Sequence, residues 1–346
     1  MSLDDRDSPP PRCVTARVEV DPADLDGLPR ALRDAGAWLR AGKLVAFPTE
    51  TVYGLGANAL DEEAVRRVFE AKGRPAFNPL IVHVDSLERV GEVAREVPAQ
   101  ARELAAVFWP GPLTIVLPRS AAVSDVVTGG LDTVGVRVPA HPVARALLAE
   151  AQVPVAAPSA NPFTQVSPTT AQHVLARLDG RIDAVIDGGP TNVGIESTVV
   201  AIDGDGALVL LRHGGISREQ LQQRGFVVVE ASDDEDDGAA RRSPGRVERH
   251  YAPGMPLTAV ARGASGALDL PASDAAFAVL ARGDAAGAAG ARATEVLPVD
   301  VAGFTRGLYA ALHRIAASGC EVAYVEALPE DPAWRAVADR LRRAGL

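Results

Sequence analysis

Hydrophobic and polar positions set out the chain's elements, and one stretch is read most fully. Between Lys43 and Val84 the order is KLVAFPTETVYGLGANALDEEAVRRVFEAKGRPAFNPLIVHV. The apolar run Leu44–Phe47 has the length of a buried strand, and Pro48 breaks it. A hydroxyl-rich loop with Thr49, Thr51 and Tyr53 follows, then Gly54 and Gly56. Asp61 stands where a helix N-cap belongs, with Glu62 and Glu63 in the first turn, at the positive end of the dipole. Val65, Val68 and Phe69 fall on one helical face. Gly73 ends the helix as a residue free to take positive φ. Leu80–Val84 reads as the next strand.

The same reading predicts a helix over Leu28–Ala41, helices at Ser86–Ala94 and Ala99–Phe108, and a hard turn at Trp109–Pro112. Strands follow at Leu113–Leu117 and Val134–Val138, then a helix at Pro142–Glu150 and a strand at Val153–Ala157 that runs into Pro158–Asn161. Ser167–Thr170 opens a helix through Leu178, and Ala184–Asp187, Ser197–Ile202 and Leu208–Arg212 read as strands. Strands and helices that mix without strict alternation predict an α+β or open twisted-sheet domain. Around residues 230–250 the composition shifts to an acidic run, Asp233–Asp237, and then to Arg241, Arg242, Arg246 and Arg249, which reads as a linker. From Leu257 strand–helix alternation resumes: Leu257–Ala261, Ala275–Ala281, a helix at Val301–Ser318, a strand at Val322–Ala327 and a helix at Ala333–Ala344. That pattern predicts a small α/β domain with a parallel sheet.

A length of 346 residues favours two cores over one. The net charge of −10, from 45 acidic and 35 basic residues, argues against a nonspecific nucleic-acid coat and leaves room for a local basic groove. Cys13 and Cys320 are too few for a four-thiolate zinc site, and a reducing cytoplasm is the simplest compartment. The N-terminal residues lack an apolar signal core, and no run of 18 apolar residues predicts a membrane span.

Several residues bear on chemistry. Lys72 and Arg74 flank the helix exit, where cations ordinarily just complement the dipole. Lys72, however, lies seven residues from Val65 and so points to the buried side, and Pro75 stiffens the chain after Arg74. Two cations on a rigid corner make a phosphate clamp. Ser159 and Asn161 follow a strand end, where ligands collect in open sheets, although an ordinary Asn-Pro turn has the same sequence. Arg137, between Val136 and Val138, lines either a polar cleft or the solvent side. There is no G-x-S-x-G elbow and no H-E-x-x-H helix. The stretch from Gly36 to Leu44 fails as a P-loop, with one residue too many between the glycines and Leu in place of Ser or Thr.

PTETVYGLG, KGRPAFNPL, PSAN at Pro158–Asn161 and HYAPG at His250–Gly254 together resemble the threonylcarbamoyl-AMP synthases of the long form, over roughly residues 26 to 346. The resemblance implies an α/β protein: an N-terminal α+β YrdC-like twisted open sheet with flanking helices, plus a small C-terminal α/β Rossmann-like domain. It divides the chain into an arm (1–25), a catalytic domain (26–228), a linker or lid (229–256) and the C-terminal domain (257–346). The implied reaction joins L-threonine, bicarbonate or CO2, and ATP into threonylcarbamoyl-AMP with release of pyrophosphate. Mg2+ accompanies the ATP, and no tightly bound organic cofactor is implied. The product serves a downstream transferase that forms threonylcarbamoyladenosine beside the tRNA anticodon. A direct tRNA or double-stranded RNA contact is left open.

Carried over residue by residue, the resemblance makes Lys72, Arg74, Asn78, Thr133, Ser159, Asn161, Ser167, Arg212 and His250 contacts to ATP, with Lys72 and Arg74 acting electrostatically. Thr51, His83, Arg137, Ala157 and Ser197 fall to L-threonine, His250 and Tyr251 to a lid, and none to a protein-held metal. Taken alone, mid-strand His83 is a structural histidine and HYAPG a boundary turn. The acidic Asp233–Asp237 run departs from the family pattern and lengthens the linker. Competing readings are a noncatalytic RNA-binding module and a carbamoyltransferase of the hydrogenase-maturation kind. Net charge counts against the first, and two cysteines cannot build the zinc modules of the second.

Overall fold

A computed structural model describes residues 14–25, 29–231 and 250–346. The acidic run Asp233–Asp237 and the linker arginines 241, 242, 246 and 249 lie outside the described residues. The first domain is built on β1 (Ala16–Glu19), β2 (Val45–Pro48), β3 (Tyr53–Asn58), β4 (Ile81–His83), β5 (Leu113–Pro118), β6 (Thr133–Arg137), β7 (Val155–Ala156), β8 (Ala184–Asp187), β9 (Thr198–Ile202), β10 (Leu208–Arg212) and β11 (Val228–Glu230). They form one mixed sheet in the order β1-β8-β2-β3-β7-β4-β6-β5-β9-β10-β11. Its helices are α1 (Arg30–Arg40), α2 (Glu62–Lys72), α3 (Ala99–Phe108), α4 (Asp125–Thr128), α5 (Pro142–Ala151), α6 (Ala171–Leu178) and α7 (Arg218–Gln223).

Both faces of the sheet are covered because strand side chains alternate. Leu44 and Ala46 join the core formed with α2, α3 and α6. Their neighbours Val45 and Phe47 join a separate core formed with α1 and α5. This is why the run Leu44–Phe47 is apolar throughout.

Helix α2 forms as its sequence predicts. The Asp61 carboxylate accepts from the Glu63 and Ala64 amides, and Gly73 takes φ 62° at the exit. Other elements differ. Ser86–Ala94 is only a 3-10 turn at Glu88–Glu92, with Gly91 within it and no side-chain cap. The loop expected after Pro48 contains β3, antiparallel to β2. Its glycines permit close approach: a Cβ on Gly56 would lie 2.8 Å from the Phe47 ring and 2.9 Å from Val155. The N-terminal arm ends in a strand, since β1 pairs with β8 at the sheet edge.

The second domain carries β12 (Leu257–Val260), β13 (Phe277–Arg282), β14 (Ala293–Leu297) and β15 (Val322–Glu326), with α8 (Val301–Ala317) and α9 (Arg335–Ala344). The sheet order is β12-β15-β13-β14 and its pairings are parallel, as strand–helix alternation predicts. Its core takes in Val52, Val166 and Ile195 of the first domain. At Gly194, φ 84°, a Cβ would stand 2.6 Å from the Arg306 Cα, so the domains dock backbone to helix there. Among the described residues no helix is long and apolar enough to cross a membrane.

Candidate active site between the two domains

A small cavity of about 50 Å³ opens where several strands end. His83 closes β4, Arg137 closes β6 and Arg212 closes β10. All three line the cavity, together with Thr51, Arg74, Ser159, Glu196, Ser197, His250 and Tyr251. Strand carboxyl ends are where open sheets leave room for ligands. The β4–β6 pairing is parallel and sets His83 beside Arg137.

One side of the cavity is organised by the Thr49–Val52 turn. Thr49 Oγ1 donates to the Val52 carbonyl at 2.6 Å and shares a 2.7 Å hydrogen bond with Thr51 Oγ1. Arg137 is buried. Its Nη1 donates to Thr51 Oγ1 at 3.0 Å and its Nε to the Gly111 carbonyl at 3.2 Å. Nη2 is ion-paired with Glu50 Oε1 at 2.7 Å, while Glu50 Oε2 accepts from the Ala140 amide. Ser197 Oγ shares a 2.8 Å hydrogen bond with Thr114 and accepts from Arg212 at 3.1 Å. Burial, and then the Arg137 charge, push the His83 imidazole down to about 3, so it is neutral at ordinary pH.

The other side is cationic. Lys72 is 2% exposed, and its amine donates to the Ser159 and Asn161 carbonyls. Arg74 donates to the carbonyls of Asn78 (3.3 Å) and Pro79 (3.0 Å). Arg212 Nε donates to the Ser197 carbonyl at 3.1 Å. Burial pulls Lys72 well below its ordinary range, helped by the Arg74 charge, and pulls Arg74 down to about 9. The Pro158–Asn161 turn is fixed to β3: Leu55 N donates to the Pro158 carbonyl and Ala160 N to the Tyr53 carbonyl.

The second domain forms the remaining wall. Tyr251, at φ 65°, stacks on Tyr309 of α8 at 5.5 Å and lies under the Arg340 guanidinium of α9 at 5.4 Å. His250 meets Phe163 and Tyr251 edge-on, and its backbone amide donates to the Arg343 carbonyl. Burial drives the His250 ring down to about 3. The Glu196 carboxylate accepts from Ser167 Oγ, Tyr309 OH and Arg340 Nε.

The structure therefore brings Thr51, Arg74, His83, Arg137, Ser159, Ser197, Arg212, His250 and Tyr251 to one cavity. Lys72, Asn78 and Asn161 stand one layer behind it: the first through the Ser159–Asn161 carbonyls, the second under Arg74, and the third with its amide donating to the carbonyls of Pro162 and Gln165. Ser167 is likewise held behind, on Glu196. Ala157 is part of the apolar core under the sheet rather than of the lining. Thr133 begins β6, four residues or about 13 Å of strand from Arg137, and lies outside the residues that line this cavity.

Reading the sequence missed Glu50, Glu196, Tyr309 and Arg340. Arg340 did carry a signal, for it falls between Val337 and Ala344 on the apolar face of α9. Among the described residues no three His, Cys, Asp or Glu side chains gather as a metal site.

Comparison with known proteins adds an independent finding. Residues 37–214 match the family model described as "Telomere recombination", and residues 216–345 match that of the "Threonylcarbamoyl-AMP synthase, C-terminal domain". The threonylcarbamoyl-AMP synthase of Pyrococcus abyssi is 43% identical over 90% of this chain and 93% of its own length. That of Bacillus subtilis is 46% identical over 70% of each chain. A crystal structure of P. abyssi Sua5 complexed with L-threonine superposes with a TM-score of 0.80 at 38% identity, covering 96% of this chain and 97% of the other.

Proposed function

The chain belongs to the threonylcarbamoyl-AMP synthase family in its long, two-domain form, and we propose on that premise that it condenses L-threonine, bicarbonate or CO2, and ATP, releasing pyrophosphate. Membership makes it an enzyme of threonylcarbamoyl-AMP synthesis; the substrates, metal and residue roles are our reading. The observation that carries it is a single cavity lined both by a hydroxyl–arginine set (Thr51, Ser197, Arg137) and by a cationic set (Arg74, Arg212 and the Ser159 turn).

In this reading L-threonine sits against Arg137, Thr51 and Ser197; the P. abyssi relative was crystallised as a complex with L-threonine. The carboxylate shares the Arg137 guanidinium with Glu50. A neutral His83 adds no charge to repel the substrate ammonium. The threonine nitrogen, once deprotonated, adds to CO2 with loss of a proton, or displaces water from bicarbonate, to give a carbamate. A carbamate oxygen then attacks the α-phosphorus, and the bond to pyrophosphate breaks. The substrate supplies the nucleophile, so the protein contributes position and charge. Arg74, Arg212 and Lys72 offset the phosphate charge. Mg2+ would come with the nucleotide and supply charge to offset the phosphates; among the described residues the one lining carboxylate, Glu196, is already engaged.

Carbamates hydrolyse, so the site needs a cover. His250 and Tyr251 supply it, packed into the cavity wall directly after the linker. The product feeds threonylcarbamoyladenosine formation in tRNA through a separate transferase. The deciding experiment is pyrophosphate release by the purified chain. It should require threonine and bicarbonate together. Release that ignores threonine, or tight salt-sensitive RNA binding without turnover, would overturn this reading.

A further inference from the structure

We propose that Arg340, near the end of the last helix of the second domain, is a positioning residue for the adenylate-forming site. By holding the Glu196 carboxylate it keeps the pocket wall, Ser167 and Arg212 in the arrangement that ATP binding needs. This rests on the reading of the cavity given above.

Glu196 is an acid in the wall of a cavity proposed to take a polyanion. Left alone, its charge would oppose the phosphates and draw Arg212 away from them. The structure instead occupies it. Oε2 accepts from Arg340 Nε at 2.8 Å and from Tyr309 OH at 2.9 Å, and Oε1 from Ser167 Oγ at 2.7 Å. Two of these three donors come from the second domain. Arg340 is 1% exposed, and its other nitrogens are committed too: Nη2 to the His213 carbonyl and Nη1 to Asp339, both at 2.8 Å.

Packing alone would be served by an apolar side chain at that place. A fully buried guanidinium that spans the domain seam to reach a pocket carboxylate is better explained by the charge it offsets. Tyr251 packs against both this guanidinium and Tyr309, so the same side chains seat the residue that follows the linker.

Charged and titratable groups face Glu196 from each packed element: Arg340 with Asp339 behind it from α9, Tyr309 from α8, Arg212 from β10, and His250 and Tyr251 from the segment after the linker. Burial acts to raise the Glu196 carboxyl. Arg340, then Arg212, together with hydrogen bonds from Arg340 and Ser167, hold it at about 2. With Arg340 removed, burial is less opposed and the group moves up towards the neutral range.

The test compares Arg340→Met, Arg340→Lys and Tyr309→Phe with Arg340→Met combined with Glu196→Gln, all in the full chain. Pyrophosphate release is read from pH 5.5 to 8.5, and ATP binding by calorimetry. Arg340→Met should raise the KM and Kd for ATP about tenfold or more, with a smaller change for threonine. Its ATP affinity should improve as pH falls, whereas the wild-type profile carries no such Glu196 step. Arg340→Lys should restore part of the loss, and Glu196→Gln in the Met background should restore most of it. Wild-type ATP affinity in Arg340→Met, or a double variant no better than the single, would overturn the proposal. Should Arg340→Met fail to fold, Tyr309→Phe decides. It removes only hydroxyl bonds to Glu196 and should weaken ATP binding in the same direction, so an unchanged Kd would count against the idea. A wild type that binds ATP yet releases no pyrophosphate faults the reaction and not the role of Arg340.

Discussion

Lys72 offers the sharpest separation of a structural role from a functional one, through Lys72→Met. Methionine keeps most of the buried stem and removes the amine. That amine is bonded to two carbonyls, but Ser159 O also accepts from Asn161 N at 3.0 Å. The structural cost therefore falls mainly on the Asn161 carbonyl. A buried acceptor deprived of its donor costs about 1–3 kcal/mol. Removing an ammonium buried beside Arg74 returns part of that, leaving a net destabilisation of about 1–2 kcal/mol. An ammonium has three donors and these two carbonyls use two. From behind the cavity wall its charge acts on the phosphates across roughly 7 Å, so its loss costs about 2 kcal/mol, or roughly 30-fold in turnover. Small loss of stability with large loss of activity is thus the expected pair, read by thermal unfolding and by pyrophosphate release. A folded variant within threefold of wild-type turnover would refute the clamp.

The same site makes a second measurement available. Burial, and then Arg74, hold Lys72 well below its ordinary range in the free protein. Phosphate nearby favours the charged amine and so raises it. A group whose bound value exceeds its free value takes up a proton on binding between the two. ATP affinity therefore falls as pH rises through that window. Calorimetry in two buffers of different ionisation heat should report net uptake, and Lys72→Met should abolish the Lys72 share.

Gly194→Ala places a Cβ against the Arg306 backbone, which cannot yield as a side-chain tip would, and adds strain at φ 84°. Unfolding should show the two domains uncoupling, with turnover falling alongside, whereas a cooperative wild-type melt would count against the docking role. All six histidines are lowered chiefly by burial, His173 and His313 to about 4. A histidine depressed in the folded state leaves the unfolded chain binding more protons below about pH 6.5, so stability should fall as pH drops from 6.5 towards 4. The rings of His173 and His313 stack at 3.9 Å across the domain seam. Replacing both with Gln should flatten the slope of the melting midpoint over that range, and an unchanged slope would place the titration elsewhere.

What the sequence makes legible follows the range of the interactions. Helix α2 was readable to its caps because Asp61 and Gly73 act within a few residues of their partners. Strand β3 was not, because the need for Gly56 arises from Phe47 and Val155 across the sheet. Arg137 was readable as a strand-borne charge, but only its register with His83 in β4 shows which side it faces. Glu50 and Glu196 escaped because their partners, Arg137 and Arg340, are remote in the chain; the second pair is 144 residues apart. Thr133 came from resemblance alone; it opens β6, whose other end carries Arg137.

A chain of net charge −10 that is to bind a triphosphate needs a local reversal of sign, and the partners of the site's cations show how it is achieved. Lys72 donates to the Ser159 and Asn161 carbonyls and Arg74 to those of Asn78 and Pro79. A carbonyl dipole orients a cation and satisfies its donors without cancelling its charge, so the field at the cavity stays positive. The nearby carboxylates are treated in the opposite way. Glu50 is paired with Arg137 and Glu196 with Arg340, both buried and both full counter-charges. Cations on neutral acceptors and anions on cations leave the balance at the cavity positive, whatever the sign of the surface far away.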